Sequence, residues 1–301
     1  MASGTALDAN ATALFGGVYQ NAVASSGGDA LASIDNHLGA SFSIAASATA
    51  TASGSANASA RVRTGVSQLA SASGSGDAAV SLVNDGSFSV DANAAALGGP
   101  VANAYADLTS GVYQFADASG TGAASAALAN AGTLSLQSTA TAQAVGVTTG
   151  TGTAPGNALA SASLYYGVSQ IADGASGASV GLDNSGSLAI GASASATANQ
   201  DATARAQVDY GIYQDATASA GDASVALANP ATLGESGIAT RRSACLRPAP
   251  RRDAADHLAH SVQARQLCPR RAGRADDHRR RPRKPRRGCR ARPAAPRNRP
   301  L

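Results

Sequence analysis

The chain has 301 residues and a formal charge of +4, a figure that averages two unlike pieces. Residues 1–240 hold 15 acidic and 3 basic groups (Arg61, Arg63, Arg205), a net of −12, whereas residues 241–301 hold 4 acidic and 20 basic groups, a net of +16. The first piece has no Lys, Cys or Trp, one Glu and one His, which removes most groups used for acid–base or metal catalysis; no apolar run is long enough to span a bilayer as a helix.

The expectation is therefore a non-enzymatic chain with no catalytic residue, no cofactor and no metal ligand. The opening stretch, MASGTALDANATALFGG, has neither a basic region nor an apolar core and does not read as a signal peptide. Its run Ala11-Thr12-Ala13-Leu14-Phe15-Gly16 matches the approach to later repeats, so the chain reads as an excerpt of a longer array without caps.

A GV(Y/S)Q tetrad recurs at Gly17, Gly65, Gly111 and Gly167, and as GIYQ at Gly211, at intervals of 48, 46, 56 and 44 residues. A second anchor follows each one: Asn36, Asn84, Asn130, Asn184 and Asn229. Two anchors held in step point to a repeat architecture with units near 16–63, 64–110, 111–166, 167–210 and 211–240.

Within each unit the period is two. From Ala202 the even positions read Ala202, Ala204, Ala206, Val208, Tyr210, Ile212, Gln214, Ala216 and Ala218, with mostly polar residues between them. Successive strand side chains face opposite ways, so this pattern predicts a small apolar stripe on one face of a strand rather than an alanine helix. Each unit predicts a long strand through the tetrad, a Gly/Asp turn, a short strand, a hairpin turn at the Asn, and another Ala-alternating strand. In the Asn turns, Asn and Gly (Asn84-Asp85-Gly86, Asn130-Ala131-Gly132, Asn184-Ser185-Gly186) are expected to supply positive φ. A single unit has too few large apolar side chains for its own core, but stacked units can share one. The fold class is all-β, a β-solenoid (β-helix or β-roll) of about five units; a propeller-like array is the runner-up.

The stretch GASVGLDNSGSLAIGASASATA (residues 177–198) resembles the repeats of bacterial β-strand-repeat surface proteins, including autotransporter and filamentous-haemagglutinin-like passengers. The resemblance covers about residues 11–235. It implies a β-helix, secretion to an extracellular or outer-membrane-associated cell surface, and an adhesive or structural role with host or neighbouring-cell ligands. The chain departs from complete members in lacking a signal peptide and a C-terminal membrane barrel.

Several residues invite functional readings. Gln20, Gln68, Gln114, Gln170 and Gln214 fall on the apolar face and are expected to form a ladder of stacked amides rather than a recognition groove. Tyr19, Tyr113 and Tyr213 fall on the other face, alternating with Ser67 and Ser169, either as an exposed aromatic row or as cross-strand packing. Gly28-Asp29, Gly76-Asp77 and Gly221-Asp222 pit a calcium site against solvated turns. Thr49-Ala50-Thr51 and Thr139-Ala140-Thr141 pit an ice-binding face against strand filler, and His37 stands alone. The exposed strand edges of an uncapped stack predict self-association.

At Arg241 the composition changes to Arg, Ala and Pro with scattered Cys245, His257, His260, Cys268, His278 and Cys289. The spacings contain no paired zinc motif. The tail reads as disordered, with a composition typical of a GC-rich gene read out of frame. Its alternative meaning is polyanion or nucleic-acid binding through charge, without specific nucleic-acid recognition.

Overall fold

The computed structural model describes residues 8–149, 152–229, 232–243 and 262–267. No helix occurs among them. In chain order the strands are β1 (Ala9–Phe15), β2 (Val18–Ala24), β3 (Ala30–Asn36), β4 (Ser41–Thr51), β5 (Ser55–Gly74), β6 (Ala78–Asn84), β7 (Ser87–Gly98), β8 (Val101–Gly120), β9 (Ala123–Asn130) and β10 (Thr133–Ala144). There follow β11 (Val147–Thr149), β12 (Gly152–Ala154), β13 (Asn157–Gly174), β14 (Gly177–Asn184), β15 (Ser187–Ala198), β16 (Asp201–Ala218), β17 (Asp222–Ala228), β18 (Thr232–Ser243) and β19 (Val262–Leu267).

Apart from the β11–β12 pair, three parallel sheets collect these strands. The first holds the long strands in the order β1-β5-β8-β13-β16-β19, with β2 also on β5. The second runs β17-β14-β9-β6-β3 and the third β18-β15-β10-β7-β4. Each strand pairs in register with the equivalent segment one repeat away: Ala56 faces Ala102, which faces Ala158, which faces Ala202. Consecutive strands of one repeat therefore lie in different sheets. Stacked parallel sheets of this kind are consistent with a β-helix-like fold. The propeller alternative fails here, because its blades pair antiparallel, and among the described residues only β11 and β12 do so. That small hairpin sits between β10 and β13 and takes up the extra length of the 56-residue interval.

The Asn hairpin also needs correction. β6 and β7 flank Asn84 but belong to different sheets, so the segment is a corner. Neither the Asn anchors nor Gly86, Gly132 and Gly186 have positive φ. These glycines are required for a different reason. A Cβ on Gly132 would lie 2.0 Å from the Gly86 carbonyl oxygen, and one on Gly186 would lie 2.1 Å from that of Gly132. Left-handed backbone occurs at Gly39 (φ 80°) in the longer first Asn corner, and where the first sheet turns into the second, at Gly74 (φ 80°) and Gly120 (φ 129°). The first repeat has a longer Asn corner, with four residues between β3 and β4 against two between β6 and β7.

Alanine's helical preference is overridden because alternate alanines face a shared interior and the backbones are fixed by ladders. Inward residues form two apolar clusters. In one, the first half of each long strand (Ala56, Ala58, Ala60, Val62) joins the third sheet (Phe88, Val90, Ala92, Ala94). In the other, the second half (Ala70, Ala72) joins the second sheet (Ala78, Val80). The long strand serves both, and its alternation is interrupted at the tetrad glycine. A Cβ on Gly111 would sit 2.7 Å from Leu136 Cδ1, and one on Gly167 would sit 2.7 Å from Ile190 Cγ2, so that residue faces inward with no room for a side chain.

Of the tail, β18 continues to Ser243 and β19 pairs with Ile212–Thr217 of β16. The candidate ligands Cys245, His257, His260, Cys268, His278 and Cys289, the run Arg279 to Arg290, and the rest of the expected disordered segment lie outside the described residues. The apolar register column ends before the composition changes: Ile44, Val90, Leu136 and Ile190 are followed in register by Glu235 of β18.

Candidate functional site

Tetrad glutamines and corner asparagines each form a continuous column of side-chain amides. Gln68 Nε2 donates to Gln20 Oε1 (3.0 Å), Gln114 to Gln68 (2.9 Å), Gln170 to Gln114 (2.8 Å) and Gln214 to Gln170 (2.9 Å). The other N–H of each amide crosses to the second sheet, donating to the carbonyls of Ser33, Ser81, Ala127, Gly181 and Ala226 in turn. Gln68, Gln114 and Gln170 are fully buried between Val66, Val112 and Val168 on one side and Ala70, Ala116 and Ala172 on the other. A polar partition thus separates the two apolar clusters, and within it donors and acceptors match.

The asparagine column runs the opposite way. Asn36 Nδ2 donates to Asn84 Oδ1, Asn84 to Asn130, Asn130 to Asn184 and Asn184 to Asn229, all at 2.6 Å. The second N–H of Asn36, Asn84 and Asn130 reaches the carbonyls of Ser87, Thr133 and Ser187, which open the third-sheet strand of the next repeat. The amide therefore closes a corner between sheets as well as linking neighbours. In Gln68, Gln114, Gln170, Asn84 and Asn130 both amide N–H groups and the amide oxygen are engaged, so these members carry no free chemistry.

On the outer face of the first sheet, Tyr19, Ser67, Tyr113, Ser169 and Tyr213 form one column. Tyr19 is exposed and Tyr113 half-buried, with its phenol pushed above its ordinary value by burial first and Tyr19 second. A denser aromatic group lies beside it. Tyr166 stacks on Tyr210 at 5.0 Å, Tyr165 meets Tyr166 edge-on at 4.5 Å, and Tyr213 lies 5.8 Å from Tyr166. The Tyr166 phenol is pushed up to about 12, by burial first and then by its tyrosine neighbours. Strict alternation assigns Tyr210 to the apolar stripe; the structure places it outward with Tyr213, because the tetrad glycine takes the inward position. The available signal was the pair Tyr165-Tyr166 directly before Gly167, matched by Tyr210 before Gly211.

Carboxylates frame shallow surface relief. Asp117 and Asp173 are neighbours in register and border a groove of about 320 Å³. Asp173 is pushed above the ordinary carboxylate value by burial, against a lowering hydrogen bond from Thr217 and with Asp117 and Asp215 adding to the rise. A second groove of about 370 Å³ runs between Asp77 and Asp222 over Ser125 and Ser179. The Gly-Asp turns do not gather their oxygens. Asp29 Oδ1 accepts the Asp77 backbone N–H (2.9 Å), and Asp77 Oδ1 accepts that of Ala123 (2.7 Å). Among the described residues no three His, Cys, Asp or Glu side chains form a group that could hold a metal. His37 is exposed beside Asp35 at 3.3 Å. Thr49 and Thr141 share a row interrupted by Ala95, so threonines form no unbroken column there.

No protein-family model, no curated protein and no solved structure matches the chain.

Proposed function

We propose that this chain is a non-enzymatic, structural or adhesive repeat segment of a secreted or cell-surface bacterial protein, built as a β-solenoid. The observation that carries the reading is where chemical regularity lies. Interior columns repeat faithfully, with amides on amides and alanines on alanines, whereas outward columns change from copy to copy, as in Arg61, Asp107, Ser163 and Gln207. Regularity is thus invested in stacking, and among the described residues no outward constellation is organised for proton transfer or nucleophilic attack. A cysteine-free array of small residues also suits export as an extended chain.

Beads coated with the full chain should clump and adhere to surfaces in proportion to coating density. Beads that stay dispersed and unattached overturn this reading. Clumping abolished by heparin would move the activity to the basic tail; clumping abolished by chelator would favour a calcium-dependent face. A second reading, glycan contact, is favoured by the Tyr165, Tyr166, Tyr210 and Tyr213 group beside Asp215, which accepts the Tyr213 hydroxyl at 3.3 Å. Loss of retention on an immobilised polysaccharide in Tyr165→Ala would support that reading.

A further inference from the structure

The two amide columns have polarity, and it makes the two ends of the stack different. Along the glutamine column every Nε2 donates toward the lower-numbered repeat; along the asparagine column every Nδ2 donates toward the higher-numbered one. At the N-terminal end, Gln20 uses one N–H on Ser33 O and so offers the other outward along the column. Asn36 there uses both N–H groups, on Asn84 and Ser87, and offers its Oδ1. At the C-terminal end the offer is reversed. Asn229 accepts from Asn184 and presents its Nδ2, and Gln214 presents Oε1. Gln214 is 1% exposed, and its Oε1 is buried with no hydrogen-bond partner. An unpartnered buried acceptor at the end of a ladder is a vacancy shaped for one more amide donor.

We propose that copies of this chain stack head to tail, the C-terminal end of one receiving the N-terminal end of a second. Gln20 of the second copy donates to Gln214 of the first, and Asn229 of the first donates to Asn36 of the second. Donor meets acceptor in both columns, and the strands stay parallel, as they are between all repeats of the stack. Two like ends brought together present identical groups on strands running in opposite directions, so the columns do not match. Strand β19 competes for this edge, since it pairs with Ile212–Thr217. Opposite Gln214 it supplies Ala264, which has no amide to donate. Replacement of β19 by β2 of another copy, Val18–Ala24, puts a glutamine there. The proposal rests on the stacked-repeat reading above and adds direction and partner to it.

Directional cross-linking tests it in the full chain with C245S, C268S and C289S as background. Tyr19 and Tyr213 occupy one outward column, so cysteines at these positions in adjoining copies come within disulfide reach only across a head-to-tail junction. Mixed Tyr19→Cys and Tyr213→Cys variants should give the mixed dimer as the main oxidised product, and the double variant should give a series of multimers. Adding Gln20→Leu to the Tyr19→Cys variant should raise the concentration for half-association about tenfold, the loss of one amide donor to a buried acceptor. Predominant Tyr19→Cys homodimers would overturn the head-to-tail proposal while leaving self-association intact. Cross-linking no greater than that of a His37→Cys control would overturn both. An unchanged association with Gln20→Leu would show that the amide columns do not carry the contact.

Discussion

Replacing Gln114 with Leu separates an amide column from a greasy seam. Gln114 makes three amide hydrogen bonds: to Gln68 Oε1 (2.9 Å), to the Ala127 carbonyl (2.9 Å) and from Gln170 Nε2 (2.8 Å). Leucine leaves Gln68 Oε1 without its donor and Gln170 Nε2 without its side-chain acceptor, both in a fully buried row. At about 1–3 kcal/mol for each buried group left unpaired, the loss is about 2–6 kcal/mol. The added apolar character of leucine offsets about 1–2 kcal/mol, because the glutamine methylenes are already buried. Taken at the middle of these ranges, the net expectation is a chain about 2–3 kcal/mol less stable, read as a fall in the denaturant midpoint by far-UV circular dichroism. The internal control is Gln20→Leu at the end of the same column. It removes one acceptor from Gln68, but the freed N–H has the Ala32 carbonyl at 3.3 Å as a replacement and Gln20 lies at a partly exposed end of the column, so its cost should stay below about 1 kcal/mol. Equal effects at the two positions, or a midpoint raised by Gln114→Leu, would refute the accounting.

Three further outcomes follow from particular contacts. Gly132→Ala should destabilise by more than about 2 kcal/mol, since its Cβ would lie 2.0 Å from the Gly86 carbonyl oxygen, whereas Gly181→Ala, with nothing within 4 Å, should be neutral or slightly stabilising by thermal melt. Ser138 sits in an otherwise alanine row (Ala46, Ala92, Ala192) with its hydroxyl buried and unpartnered, so Ser138→Ala should raise stability by about 1 kcal/mol in the same melt. Asp173 has a folded pKa above the ordinary 3.8, so its contribution is fully present below that value and is lost as pH rises through the raised one. Asp173→Asn should therefore raise the melting temperature at neutral pH, with the gain disappearing below the ordinary carboxylate range; a gain independent of pH would assign the effect to something other than charge.

Most of the strand architecture was legible because period two and in-phase anchors both survive in the sequence. Val80 and Leu82 before the Asn corner, and Phe88 and Val90 after it, keep inward parity whatever the corner's geometry, so the strands could be placed without knowing which sheets they join. The same parity concealed the partner. A short Asn-x-Gly link between alternating strands reads as a hairpin, and only the pairing of Asn84 with Asn36 and Asn130, rather than β6 with β7, shows that the ladder runs between repeats. Alternation also fails at the tetrad glycine. Gly167 takes an inward place, Tyr165 and Tyr166 consequently meet on the outside, and the aromatic group they form with Tyr210 was invisible to a strict two-residue count.

If regularity resides in the columns, an entire repeat can be removed without breaking them. Deleting residues 58–103 joins Asn57 to Ala104, and Asn57 and Asn103 are register partners, so every later side chain keeps its face. Each neighbour lost is replaced by its column equivalent: Gln20 then meets Gln114 in place of Gln68, Asn36 meets Asn130, and Ile44 meets Leu136. The shortened chain should keep a β spectrum and unfold cooperatively at a lower midpoint, as expected when a stack loses one unit and one interface. Deleting 58–102 removes one residue fewer and joins Asn57 to Asn103, which turns the following residues of that strand to the opposite face. Ala104, Ala106 and Leu108 would then face solvent unless the strand bulges, so this variant should lose far more stability than the longer deletion. Were the two deletions equally tolerated, inward parity would not be what holds the stack, and the column argument would fall with it.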